Sequence, residues 1–231
     1  MMIRFDNVVK KFDGRAVLDG VSFTVEKGEI LAVVGPSGTG KSVTLKHVVG
    51  LLTPTSGTVE VDPSARIDYL FQGGALLAWL SVYDNVALPL RETTDYYDDE
   101  IDRRVMAALN SVGLSEAAEK FPAEISGGMA KRAGLARAIV READVILYDE
   151  PTSGLDPVTA ATINRLIRHL NRSRGITSVV VTHDLVAALS FADRLMMVKD
   201  GRVVLAGSPD DFRNSNIPEV KEFLAAGKGE I

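Results

Sequence analysis

Residues 30–42 read Ile-Leu-Ala-Val-Val-Gly-Pro-Ser-Gly-Thr-Gly-Lys-Ser. Five apolar residues in a row suit a strand covered on both faces. They run straight into Gly35-x4-Gly40-Lys41-Ser42, the pattern of a phosphate-cradling loop. Each residue type answers a physical need. Glycines let backbone N–H groups turn inward around phosphate oxygens. The helix that follows points its positive end at the anion. Lys41 brings a cation to the β- and γ-phosphates, and Ser42 offers an oxygen to Mg²⁺. Gly35, Pro36, Ser37, Gly38, Thr39, Gly40, Lys41 and Ser42 are therefore candidate phosphate contacts. A plain glycine-rich turn is the competing explanation, and the strand before and the amphipathic segment after it argue against that.

The rest of the chain agrees with a strand–loop–helix core. Ile3 to Val9, Val21 to Val25, Thr58 to Val61 and Ile67 to Phe71 are short and β-rich, separated by Asp13-Gly14, Asp19-Gly20 and Lys27-Gly28. The middle is helical. Ile101, Val105, Ala108, Leu109 and Val112 recur at helical spacing behind the acidic start Asp98-Asp99-Glu100, and Gly127 to Arg141 forms a second helix. Alternation then resumes: strand Val145 to Tyr148, helix Thr159 to Arg172, strand Thr177 to Thr182, helix Leu185 to Phe191. A hairpin pairs Arg194–Val198 with Arg202–Ala206 around Asp200-Gly201. The expected fold class is α/β: a mostly parallel sheet with an N-terminal antiparallel β subdomain and an inserted helical subdomain. One domain is expected over residues 1–231. Its β core would be 1–72 and 143–215, its helical lobe 73–142, and its C-terminal tail 216–231.

Composition narrows the function classes. The 231 residues include no Cys, which removes disulfides, thiol nucleophiles and Cys-ligated metals together. The net charge of −5 disfavours a general nucleic-acid binder. The longest uncharged stretch, Tyr69 to Tyr83, is 15 residues, against about 20 for a membrane-spanning helix. MMIRFDNVVKKF has no apolar core with a small-residue cleavage site, so no secretory signal is expected there and a cytoplasmic location is.

Two further motifs carry chemistry. Val145-Ile-Leu-Tyr-Asp149-Glu150 is an apolar strand ending in two acids, where a parallel sheet presents its ligand crevice. Asp149 suits Mg²⁺, and Glu150 suits orienting or deprotonating an attacking water. Ser126-Gly127-Gly128 offers a hydroxyl and open N–H donors at a second helix N-terminus, although an N-cap alone would explain it. Lys131, Arg132 and Arg137 on that helix read as a solvated face. His47 and His169 carry no functional argument.

The phosphate loop, Phe71-Gln72, Ile125-Ser-Gly-Gly-Met129, Tyr148-Asp-Glu-Pro151, Ser153-Gly-Leu-Asp156 and Thr182-His183-Asp184 occur in that order. Together they resemble the nucleotide-binding subunit of ABC transporters, over nearly the whole chain. Phe71-Gln-Gly-Gly-Ala-Leu-Leu, Leu80-Ser-Val-Tyr-Asp-Asn-Val and Met129 in place of the usual Gln look like the Mla/MCE lipid-transport branch. The resemblance implies ATP and Mg²⁺ as cofactors, and ATP hydrolysis by a head-to-tail homodimer. It makes Glu150 the catalytic base, His183 the γ-phosphate switch, Gln72 the metal- and water-sensing loop residue, and Asp149 and Ser42 metal-associated. Phe12 would stack on adenine, Val43 stands where a Thr is common, and Ser126, Gly127, Gly128 and Asp156 would meet the partner's nucleotide. The implied partners are a transmembrane permease, an MCE substrate-binding protein and a small STAS-type regulator, on the cytoplasmic face of the inner membrane. An iron–sulfur-assembly ATPase of the same family is the nearest alternative. A phosphate-loop kinase or GTPase explains Lys41 and Asp149 but not Ser126-Gly-Gly or His183.

Overall fold

The computed structural model describes residues 1–228. Nine strands and eight α-helices run in chain order: β1 (Ile3–Phe12), β2 (Arg15–Val25), β3 (Ile30–Val34), α1 (Lys41–Val48), β4 (Ser56–Val61), β5 (Ile67–Leu70), α2 (Val82–Thr93), α3 (Asp98–Ser111), α4 (Gly127–Ile139), β6 (Val145–Asp149), α5 (Pro157–Arg174), β7 (Thr177–Thr182), α6 (Leu185–Phe191), β8 (Arg194–Lys199), β9 (Arg202–Gly207), α7 (Pro209–Arg213) and α8 (Pro218–Lys228). They build two sheets. One is antiparallel, in the order β2-β1-β4; the other has six strands in the order β5-β6-β7-β3-β8-β9. In the larger sheet only the β8–β9 pairing is antiparallel.

Strand alternation divides the core. Leu31, Val33, Val145, Leu147, Val179 and Val181 point to one face and pack with Ile3, Phe5, Leu18 and Val25 of the antiparallel sheet and Leu45 of α1. Ile30, Ala32, Val34, Ile146, Tyr148 and Val180 point to the other and pack with Val86, Val105, Leu109, Ala133, Ala136, Ile163 and Ala188 of the helices. Both faces of β3, β6 and β7 are therefore buried, which is why β3 and residues 145–148 of β6 are continuously apolar, while β7 sets Val179, Val180 and Val181 between Thr177, Ser178 and Thr182. The carboxyl ends of β5, β6, β7 and β3 lie side by side. Gln72, Glu150, His183 and the Gly35–Ser42 loop each follow one of these ends, so the crevice outside them collects the candidate residues.

Three features differ from the sequence expectation. The Asp19-Gly20 turn signal lies inside β2, where Gly20 has φ 75° and the β1–β2 register shifts: it is a bulge rather than a strand end. Helix α2 is added, with Ser81 as its N-cap and Pro89 inside it. Within the expected C-terminal tail, Pro218–Lys228 forms a helix, α8, with Val220 fully buried in the core. Residues 229–231 of that expected tail lie outside the described residues.

Candidate nucleotide site

The loop after β3 adopts the conformation its glycines allow. Gly35, Gly38 and Gly40 have φ of 150°, 81° and 92°. A Cβ on Gly35 would come within 2.1 Å of the Val198 carbonyl oxygen, so a side chain there would push the loop off the sheet. The Thr44 N–H reaches the Gly40 carbonyl at 3.0 Å. The N–H groups of Lys41, Ser42 and Val43 before it are the open donors of the α1 start, facing the crevice as an anion site requires. The buried Lys41 ammonium donates to the Gly35 and Pro36 carbonyls, both at 2.8 Å. Burial pushes its pKa down, while the Glu150 and Asp149 charges pull it back up.

The acids lie opposite. Asp149 is buried and accepts two hydroxyls, Ser42 Oγ on Oδ1 and Tyr69 Oη on Oδ2, each at 2.7 Å. Burial, followed by the bond to Asp149, pushes the Tyr69 phenol pKa upward, so it stays a donor. Tyr69 also packs on Phe71, ring centroids 4.4 Å apart, which ties the metal-type acid to the start of the Gln72 loop. Glu150 has a left-handed backbone, φ 50°, uncommon for a residue with a side chain and frequent at functional sites. Its N–H donates to the Val181 carbonyl at 2.9 Å. His183 Nδ1 is 2.8 Å from Glu150 Oε2. In a neutral ring, donation from Nδ1 leaves Nε2 an acceptor. Donation from Nε2 to a phosphate therefore requires an imidazolium or release from Glu150. Gln72 Nε2 donates to Ser153 Oγ at 3.1 Å.

A cavity of about 420 Å³ joins Val17, Ser37, Gly38, Gly40, Lys41, Ser42, Val43, Gln72, Glu150, Ser153 and His183. The sequence-predicted phosphate loop, loop glutamine, second acid and histidine thus converge in one crevice. A larger groove, lined by α5, α6 and the Thr152–Leu155 loop, shares only Ser153 and His183 with it and holds no phosphate-loop residue. Phe12 is exposed at the end of β1, with the Lys10 ammonium 5.1 Å from its ring centroid, and it does not line the crevice. Ser126 caps α4, its Oγ accepting from the Met129 N–H at 3.3 Å. Ser126 and Gly127 are exposed, while Gly128 is buried. None of the three lines the Lys41 crevice of its own chain. Asp156 caps α5, accepting from the Val158 and Thr159 N–H groups at 3.0 Å.

The cationic face of α4 is not solvated. Lys131 is 8% exposed and donates to the carbonyls of Glu150 (3.2 Å) and Ser153 (2.7 Å). Arg132 reaches the Val112 carbonyl at 2.9 Å, and Arg137 reaches those of Gly74 and Ala75 at 2.9 and 2.8 Å. Gly134 permits this last approach: a Cβ there would be 2.8 Å from Leu70 and 3.0 Å from the Gly74 carbonyl. These contacts went unforeseen because carbonyl acceptors leave no mark in a side-chain pattern.

The donors suit Mg²⁺. Ser42 Oγ and the Asp149 carboxylate are oxygen donors beside the phosphate loop, the chemistry from which Mg²⁺ shells are built together with substrate phosphates. No group of three or more His, Cys, Asp or Glu side chains able to hold a metal by themselves occurs among the described residues. No helix among them is long and apolar enough to cross a membrane.

Comparison with known proteins agrees with this geometry. A family model described as ABC transporter matches residues 18–153. The Escherichia coli K12 intermembrane phospholipid transport system ATP-binding protein MlaF is 41% identical over 224 residues, covering 91% of this chain and 83% of the relative. The "Probable ribonucleotide transport ATP-binding protein mkl" of Mycobacterium tuberculosis is 40% identical over 236 residues, 96% of this chain and 66% of the relative. Among solved structures, a dimeric ATP-binding cassette in a post-hydrolysis state with ADP and Pi superposes with a TM-score of 0.80 at 32% identity, covering 90% of this chain and 99% of that one. The chain has the nucleotide crevice, the α/β core and the motif order of those cassettes, and it belongs to the ABC transporter family as an ATP-hydrolysing, ATP-binding subunit.

Proposed function

We propose that this ATPase works as a head-to-tail homodimer that powers phospholipid transport by a separate membrane permease. Each ATP would lie between the Lys41 loop of one chain and Ser126-Gly127-Gly128 of the other. The observation that carries this reading is the separation within one chain. Ser126 and Gly127 are exposed at the start of α4, outside the crevice that holds Lys41, Gln72, Glu150 and His183. A second copy would bring its nucleotide to this exposed helix start, whose remaining N–H donors suit an anion. The dimeric cassette with ADP and Pi among the structural relatives supports assembly as a dimer.

Within the site, Gly35 to Val43 and Lys41 bind the phosphates and Phe12 stacks on the base. Ser42, Asp149 and Gln72 would hold Mg²⁺, which would supply positive charge against the phosphates. Glu150 holds and deprotonates the attacking water, and the neighbouring His183 fixes its carboxylate. Asp156 and Ser126–Gly128 complete the partner's site. Closure is a population shift, driven by contacts that ATP makes only between apposed chains. Phospholipid as cargo rests on the MlaF relative's name and on the Phe71–Leu77 and Ser126–Met129 motifs. An MCE substrate-binding protein, a STAS-type regulator and attachment to the cytoplasmic face of the inner membrane follow from that same likeness. The test is Glu150→Gln. It should bind ATP and accumulate an ATP-dependent dimer in sedimentation, while hydrolysis falls at least about 100-fold, as loss of a general base does. Hydrolysis near the wild-type rate removes Glu150 from this role.

A further inference from the structure

Lys131 occupies an unusual place. It lies on α4, one turn beyond the Ser126 cap, yet its ammonium is buried against the loop that follows β6. Its two acceptors are the carbonyls of Glu150 and Ser153, at 3.2 and 2.7 Å. Glu150 is the residue whose left-handed backbone, φ 50°, has to be held in place by its surroundings. The Glu150 carbonyl also accepts the Ser153 N–H at 3.2 Å within the loop, and three contacts from elsewhere in the chain brace the same short segment. The Glu150 N–H donates to Val181, His183 meets the Glu150 carboxylate, and Gln72 donates to Ser153 Oγ. Val181 lies in β7, His183 follows it and Gln72 follows β5, all belonging to the core sheet and its loops. Of these contacts among the described residues, only those of Lys131 come from the helical lobe. A buried ammonium is costly unless its donors are satisfied, and its desolvation already lowers the pKa against the pull of Glu150. Such a group is a poor choice for stability alone, and a Met of similar length would fill the space.

We propose that Lys131 is a positioning residue: it holds the strained Glu150 backbone from α4, the helix whose Ser126 end faces the partner's nucleotide. The link rests on the assignment of Glu150 as base and of Ser126–Gly128 to the partner site. Through it, the placement of α4 on one nucleotide is transmitted to the hydrolytic group at the other.

The test is a double-mutant cycle in the intact protein. Lys131→Met should lower kcat about 10- to 100-fold, the equivalent of one or two lost charge-assisted hydrogen bonds. KM for ATP and the melting temperature should stay near wild-type. Lys131→Arg, which keeps the cationic donors, should recover part of the rate. In the Glu150→Gln background, where there is no base left to position, Lys131→Met should cause no further loss in single-turnover hydrolysis. An additive further loss there, wild-type kcat in the single variant, or a rate loss that follows a fallen melting temperature overturns the proposal. The underlying reading fails separately: it falls if Glu150→Gln itself retains hydrolysis, whatever Lys131→Met does.

Discussion

Trp79 distinguishes a docking loop from a core loop, and the structure gives the size of the difference. Residues 73–82 carry no charge, yet Trp79 is 73% exposed while Leu76, Leu77 and Leu80 are half-buried. The loop that displays it is firmly braced. Buried Asn85 accepts the Leu77 N–H at 2.7 Å, and its amide reaches the carbonyls of Leu77, Leu80 and Ser81 at 3.1, 3.1 and 2.9 Å. A large aromatic held outward on a rigid loop next to Gln72 is what a binding hot spot requires. We expect it to seat the permease. Only about a quarter of the indole is covered, roughly 60 Å² of a side chain of about 250 Å², so removal costs about 1.5 kcal/mol at 25 cal/mol per Å². A buried Trp would cost about 3–5 kcal/mol. For a domain of this size each kcal/mol moves the melting point about 2–4 °C. Trp79→Ser should therefore melt within about 6 °C of wild-type and bind ATP normally in the isolated subunit. Its recovery with the permease from solubilised membranes should fall clearly. A stability loss above about 3 kcal/mol, or full stoichiometric recovery of the complex, refutes the docking role.

Two further outcomes follow from the site and its surroundings. A Cβ on Gly127 meets nothing closer than Leu155 at 3.8 Å, whereas one on Gly128 would be 2.5 Å from Thr159 of the same chain. Gly127→Asp is therefore the clean probe of the composite site. Alone it should fold and bind ATP but not turn over; mixed with Lys41→Ala it should regain hydrolysis through the one intact site of the heterodimer, and continued activity of Gly127→Asp by itself would falsify the cross-chain arrangement. Burial raises the Asp68 pKa to about 6, against the pull of Arg141, Arg137 and Arg66. The folded chain then holds this proton more tightly than the unfolded one, so Asp68 costs stability as pH rises from about 4 to about 6, by up to about 3 kcal/mol. Asp68→Asn should be more stable than wild-type above pH 6, with the gain vanishing near pH 4; a pH-independent difference in denaturant midpoint would show that Asp68 is not the titrating group.

What was legible in the chain divides along a physical line. Strand β3 is readable to the residue because burial on both faces demands an unbroken apolar run, and β7 because its three valines lie between the β-favouring Thr177 and Thr182. The phosphate loop is readable because its glycines, lysine and serine each answer a separate need of a bound phosphate. Helix α2 is not, because Pro89 imitates a break and Asn85, in a core-facing position, spends its polarity on the neighbouring loop. Lys131 and Arg137 are misread as solvated for a related reason. A cation pattern on a helix shows charge and spacing, but a carbonyl acceptor belongs to every residue alike, so no side-chain pattern announces that Glu150, Ser153, Gly74 and Ala75 will offer theirs. What does leave a trace is the room such contacts need. Gly134 lies on the side of α4 where the Gln72 loop runs and meets the Gly74 backbone, while Gly128 meets the Thr159 side chain of α5, so glycine inside an otherwise regular helix marks close approach of a neighbouring segment. A helix with small residues at such contacts and long cations between them is enclosed by neighbouring backbone. Its lysines and arginines then serve as struts to that backbone, and α4 is built this way because it must hold the Gln72 loop and the Glu150 loop in one fixed relation.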